Sequence, residues 1–323
     1  MSFFSSEMIV TLQQLKGIGK KTILALAEMT SYDIVDVEAL CKFWSTLKGK
    51  KFESFDADDI RVAHSAARRI LRMCAEHGVG VMSCFDEAFP HTLKSCIDEN
   101  GKEDPVLLLY YRGSLDALNK PGLAIIGTRE PTLNGVKAGE YFAGEFAKEN
   151  FNIVSGLAIG CDSAAHRGAL KVGGTTTAFL ANGLDWESMY PKENLDLAKS
   201  IVENGGLLLS EYPVGQSCDR YALVARDRLQ AALSYGTIVI QTGERGGTMH
   251  AVGATRKSGK PLFAVEYKDI EDNSHEKVQG NIALLREGKA GALRSDNMHA
   301  VIKDVDFYIE KSHTENKSKS TLF

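Results

Sequence analysis

Three glycine-bearing segments of this chain have the composition to hold an anion. Gly127-Thr128-Arg129 sets a guanidinium, a planar fork of five donors, beside a glycine; Glu130 and Glu140 are the alternative partners of Arg129. Ser155-Gly156-Leu157-Ala158-Ile159-Gly160-Cys161-Asp162 ends in a short carboxylate that is expected to cap a helix, with the free N–H groups of that helix start turned toward a phosphate. Gly243-Glu-Arg-Gly-Gly-Thr248, holding Arg245, Gly246, Gly247 and Thr248, is the strongest phosphate loop of the three. It lacks the Gly-Lys-Ser/Thr ending of a nucleotide-hydrolysing loop and the Gly-x-Gly-x-x-Gly spacing of a nicotinamide site. The plain alternative is a tight turn from strand to helix.

Further along, Arg226-Asp227-Arg228 puts two guanidiniums at i and i+2 of a helix, so only one can face a given ligand, with Asp227 as an internal partner. His166 lies four residues after Asp162 on one helix face. The two could act as an acid–base pair, but a buried histidine with an internal hydrogen bond is the preferred reading. Near the start, Leu15-Lys-Gly-Ile-Gly-Lys-Lys-Thr22 has the form of a hairpin between two helices. Gly17 and Gly19 would expose N–H groups to a nucleic-acid phosphate there, and Lys20 and Lys21 would add charge, as a secondary contact.

The elements that must position these residues alternate. Apolar runs at Leu123–Ile126, Asn152–Val154, Thr177–Leu180, Leu207–Leu209, Thr237–Ile240 and Leu262–Val265 read as strands. Helical patterns stand between them at Val136–Lys148, Ser163–Lys171, Leu195–Glu203, Leu223–Leu233 and Thr248–Ser258. Such alternation predicts βαβ units, a mostly parallel sheet covered on both faces, and ligand turns along its carboxyl edge. Residues 1–77 read as a small helical domain, residues 78–310 as the α/β domain, and residues 311–323 as a polar, disordered tail. Val79–Met82 and Val106–Leu109 are extra strand candidates that extend the sheet.

Net charge is −4, so nucleic-acid binding would need a local patch rather than a global field. The six cysteines form no Cys-x-x-Cys pair and have no histidine cluster beside them, so neither a metal nor a cofactor site is expected. Free thiols suit a reducing cytoplasm. The N-terminus does not read as a signal peptide, and no apolar run approaches the roughly 20 residues of a membrane span.

In order, Ala124-Ile-Ile-Gly-Thr-Arg129, Val154 to Asp162, Ala165-His-Arg-Gly-Ala-Leu170, Gly183-Leu-Asp185, Tyr190-Pro191, Asn194, Leu209-Ser-Glu-Tyr-Pro-Val-Gly215 and Arg226-Asp-Arg228 resemble the DNA-processing protein A (DprA, or Smf) family. The segment Gly280-Asn-Ile-Ala-Leu-Leu-Arg-Glu-Gly-Lys-Ala290 is similar to that family's closing motif, and the likeness runs from about Val79 to Leu293. It implies an extended Rossmann-like fold behind a helix-hairpin-helix (SAM-like) domain. It also implies non-enzymatic binding of single-stranded DNA in a basic pocket, delivery of a RecA-type recombinase, a role in recombination or DNA uptake, and a homodimer. By match, Arg129, Ser155, Gly156, Arg226 and Arg228 carry over. The chain departs from the family where Asp227 replaces an asparagine, where Glu244–Met249 replaces a serine–glycine loop, and where the polar tail stands in place of a winged-helix-like domain.

Two other functions compete. One is a nucleotide sensor or nucleoside-monophosphate glycosidase, in which Glu211 would supply the carboxylate missing after the Arg245-Gly-Gly-Thr248 loop. The other is a protein scaffold with a vestigial pocket.

Overall fold

The computed structural model describes residues 4–320. Nine strands form one sheet: β1 Gly80–Ser83, β2 Leu108–Gly113, β3 Gly122–Ile126, β4 Asn152–Ser155, β5 Thr176–Leu180, β6 Leu207–Ser210, β7 Ser234–Val239, β8 Leu262–Val265 and β9 Gly291–Leu293. Their order is β1-β2-β6-β5-β4-β3-β7-β8-β9. The pairs β1–β2 and β2–β6 are antiparallel. Every later pair is parallel. The six central strands are the apolar runs of the sequence. They carry few polar residues because both faces of a parallel sheet are covered.

Alternate residues of one strand serve different cores. Leu123 and Ile125 of β3 point to the face covered by the helices Leu133–Lys148 and Met298–Ser320, where Phe142, Phe146, Val301 and Val305 are buried. Ala124 and Ile126 point the other way, onto Ala251 and Val252 of the helix Thr248–Lys257. The period of two is what lets one short strand hold two layers together. Removing a side chain such as the fully buried Phe146 would cost about 3–5 kcal/mol.

The helices Ser6–Gln14, Lys20–Met29, Val37–Trp44 and Ala57–Glu76 precede the sheet. Asp56 caps the last of them, and Gly78, at φ +66, follows its end. Their apolar faces join β1, β2 and β6 in one continuous hydrophobic cluster. The helical region and the sheet therefore share a core.

Two features differ from the sequence-based expectation. β9 was not foreseen, since Gly-Ala-Leu is too short to show a pattern. The segment expected as a disordered tail from Lys311 is helical as far as Ser320. It continues a helix already anchored by Val301 and Val305, and His313 packs edge-on to Tyr235 at 6.1 Å. A helix whose nucleus is fixed by packing extends into polar sequence at little cost. The rest of that tail, residues 321–323, lies outside the described residues.

Candidate functional site

β3 lies between β4 on one side and β7 on the other, so the chain order reverses there. In an open α/β sheet this reversal splays the loops apart at the carboxyl ends of the strands. A cavity of about 460 Å³ opens at that point. Gly127, Thr128 and Arg129 enter it from β3, and Thr242, Gly243 and Arg245–Thr248 from β7. Arg226, Asp227 and Gln230 of the helix Arg220–Leu233 line it too, with Asp162 and Lys277.

The cavity loops are held by side-chain amides. Asn281 accepts from Thr242 N at 2.9 Å and donates to Ile240 O at 2.8 Å and Val265 O at 3.1 Å. A Cβ on Gly280 would lie 2.3 Å from Gly243 O. The closing Gly280-Asn281 motif thus holds the loop after β7 in place. Gln241 does the same for the start of the helix Leu133–Lys148, through Thr132 N at 2.9 Å and Thr132 Oγ1 at 2.8 Å.

The glycine segment after β4 is closed on itself. Asp162 is not the cap of the helix Cys161–Lys171; Gly160 is, at φ +85. Asp162 lies within the first turn, and its Oδ2 accepts from Gly156 N at 3.2 Å and Ala158 N at 3.3 Å. Cys161 N donates to Thr128 O and Ser163 N to Ala158 O, each at 3.1 Å. Four of the segment's donors, the N–H groups of Gly156, Ala158, Cys161 and Ser163, are spent inside the protein. Ser155 is fully buried and donates to Ile125 O at 2.7 Å, so it does not reach the cavity. Neither Gly156 nor Gly160 lines the cavity; Gly156 borders a smaller neighbouring one of about 140 Å³, shared with Arg129 and Arg226. Burial pushes the Asp162 carboxyl up to about 6, against the pull of the Arg226 guanidinium. His166 is fully buried with Nδ1 2.7 Å from Thr176 Oγ1, and burial pushes it down to about 3. It has the internal role preferred from the sequence.

The segment after β7 is open. Glu244, Arg245, Gly246 and Gly247 are exposed. Gly247 precedes the helix Thr248–Lys257 without any side-chain cap. Met249 N and His250 N turn back to Gly246 O and Gly247 O. The N–H groups of Gly247 and Thr248 carry no hydrogen bond among the described residues. These donors, at the positive end of a helix, face the cavity.

The arginines divide in the same way. Arg226 is buried: it donates to Gly156 O, to Phe179 O at 3.0 Å and to Asp227 Oδ1 at 3.0 Å. Arg228, also buried, does not line the cavity. Both oxygens of Glu211 accept from it, at 3.0 and 2.8 Å, and Asp104 accepts from its Nε. The physical reason is spacing: two residues apart on a helix, Arg228 points away from the side Arg226 faces. Glu211 is consumed by the same contact and is absent from the cavity lining. Lys20 joins this cluster through Asp104 and lies 3.9 Å from Glu211, so it is turned inward from the hairpin, while Gly17, Gly19 and Lys21 remain exposed.

By contrast, Arg129 and Arg245 are exposed and make no ion pair or side-chain hydrogen bond among the described residues. The two acids named as alternative partners of Arg129 are engaged elsewhere, Glu130 with Lys277 at 3.2 Å and Glu140 with Arg167 at 3.7 Å. Lys277, Thr242 and Gln230 are cavity residues that no sequence motif marked. No group of three metal-ligating side chains occurs among the described residues, and none of their helices is long and apolar enough to cross a membrane.

The motifs after β3 and β7 thus meet at one cavity, with Asp162 and Arg226 on its wall. The family model of DNA recombination-mediator protein A matches residues 80–305. The chain belongs to that family. The DNA processing protein DprA of Streptococcus pneumoniae is 34% identical over 210 residues, which cover 64% of this chain and 71% of that protein. DprA of Bacillus subtilis is 31% identical over 198 residues, covering 61% of this chain and 64% of its own length. For protein Smf of Escherichia coli the identity is 33% over 179 residues, 55% of this chain and 46% of Smf. Among solved structures, S. pneumoniae DprA superposes with a TM-score of 0.69 at 25% identity, over 91% of this chain and 95% of that one. DprA of Helicobacter pylori, described as having a single-stranded DNA binding mode, gives 0.59 at 31% identity, over 70% of this chain and 96% of that one.

Proposed function

We propose that the cavity between Arg129 and Arg245 holds the phosphates of single-stranded DNA, and that the chain is a non-enzymatic recombination mediator. One observation carries this reading: two unpaired guanidiniums and two unspent backbone N–H groups meet at the switch point. Gly127, Thr128, Gly246, Gly247 and Thr248 let the strand backbone approach, while Arg226 and Asp162 shape the wall. Contacts of this kind bind phosphate without reading sequence, so the affinity is strongly salt-dependent. Family membership extends the proposal to delivery of a RecA-type recombinase, to homodimerisation, and to a part in recombination or DNA uptake. Six unpaired cysteines suit a cytoplasmic site of action.

The test is anisotropy of a fluorescent oligothymidine, single- against double-stranded, across a salt series. Single-strand preference that falls steeply with salt is expected. Absence of binding at low salt would remove the proposal and turn attention to mononucleotides as ligands.

A further inference from the structure

The helix Arg220–Leu233 puts two acceptor groups on the cavity wall that a phosphate site does not need. Asp227 and Gln230 are three residues apart, share a helix face and both line the cavity. Gln230 Nε2 donates to Asp227 Oδ1 at 3.2 Å. An amide beside a carboxylate presents its nitrogen to it, so the orientation of Gln230 is fixed and Oε1 remains an acceptor. That oxygen has no hydrogen-bond partner, and its side chain is only 2% exposed. A buried acceptor without a donor is rare enough to need a reason. On Asp227, Oδ1 accepts from both Arg226 and Gln230, at 3.0 and 3.2 Å. Its Oδ2 accepts no hydrogen bond among the described residues and lies 3.7 Å from the Cβ position of Gly247, on the cavity side.

A phosphate is repelled by this pair, whereas adjacent N–H donors are held by it. Among the DNA bases, guanine alone carries two neighbouring N–H donors, N1–H and the N2 amino group, on one edge. Adenine and cytosine set an amino group beside a bare ring nitrogen, and thymine sets its imino group between two carbonyls. Resting on the strand-binding role above, we propose that Asp227 and Gln230 read a guanine base, with Asp227 Oδ2 and Gln230 Oε1 accepting from N1–H and the N2 amino group. Arg129 and Arg245 then hold the flanking phosphates. The cavity is large enough for a nucleotide.

The test uses the full chain and short fluorescent thymidine oligomers carrying guanine, adenine or hypoxanthine at alternate positions, in lithium buffer to prevent quadruplexes. The guanine strand should bind more tightly than the adenine strand by on the order of tenfold. The hypoxanthine strand, which lacks the N2 amino group, should fall between them. Unlabelled dGMP should displace the strand at lower concentration than dAMP. D227N should move two quantities in opposite directions: thymine and adenine strands bind more tightly because a carboxylate is gone, while the guanine preference shrinks. Damage to the fold would weaken all strands alike, and the wild-type preference with dGMP competition then decides. Equal wild-type affinity for the three strands overturns the guanine reading but leaves strand binding intact. Failure to bind any strand at low salt removes the reading beneath it.

Discussion

Two glycine turns leave the same edge of the sheet, one after β4 and one after β7. In the first, Asp162 takes the N–H groups of Gly156 and Ala158, and Arg226 takes the carbonyl oxygen of Gly156. In the second, the N–H groups of Gly247 and Thr248 have no such partner, and Arg245 is exposed and unpaired. Both turns carry glycines, and each has a guanidinium beside it, Arg226 at the first and Arg245 at the second. What separates them is that a carboxylate and two carbonyls already hold four N–H groups of the first, whose glycines do not line the cavity, while the glycines of the second do. A turn whose donors are spent is a brace; a turn whose donors are left over is a site.

The contrast predicts that arginine changes divide into folding effects and binding effects. Arg228→Glu should have the largest effect of all. It sets a third carboxylate against Glu211 and Asp104 in a half-buried cluster, and breaking such a pair costs about 3–5 kcal/mol. Denaturant unfolding should show a lower midpoint with little change in slope. Arg129→Glu with Arg245→Glu should leave the unfolding midpoint within about 0.5 kcal/mol, since both side chains are exposed. The same double change should lower single-strand affinity by about 100-fold at low salt and reduce the salt slope by about two. A folding defect in the second protein, or a stable first protein, would break the division.

The glycines sharpen it at a smaller scale. A Cβ on Gly156 would lie 2.1 Å from Arg226 Nη1 and 2.7 Å from Asp162 Oδ2. Gly156→Ala should therefore destabilise by about 1–3 kcal/mol, because the guanidinium it displaces is already held by two carbonyls. Gly247 has helical dihedrals, φ −57 and ψ −41, and a Cβ there would meet only Asp227 Oδ2, at an ordinary contact distance of 3.7 Å. Gly247→Ala should be neutral or stabilise by up to about 1 kcal/mol. Thermal melts of the two variants should move in different directions.

The fold was legible because its signals are local. Each of the six central strands is an apolar run bounded by turn residues, and the helix Ala57–Glu76 announces itself with Asp56, Asp58 and Asp59. The glycine turns were legible as turns for the same reason. Which donors stay free was not, because their partners are remote. Arg228 meets Asp104 across 124 positions, and Thr242 is held by Asn281 across 39. Lys277 reaches the cavity from a polar stretch with no pattern of its own. Asp162 reads as a cap from the sequence but lies in the first turn, since nothing in the sequence distinguishes that turn from the residue before it.

The smallest effect tests the brace directly. Asp162 is ionised above about pH 6, where burial has placed its carboxyl, against an ordinary value of 3.8. A carboxyl raised on folding binds its proton more tightly in the folded state. Its contribution therefore favours the folded protein most below the unfolded value and is lost as pH rises from 3.8 to about 6. Near the cavity the same proton removes a negative charge from the wall, so strand affinity should rise a few-fold, on the order of threefold, as pH falls from about 8 toward 6. Asp162→Asn tests this: anisotropy titrations at fixed ionic strength should lose the rise in affinity between about pH 8 and 6. If the profile is unchanged in that variant, the carboxylate is screened from the strand by Arg226, and the turn after β4 is a brace without electrostatic reach into the site.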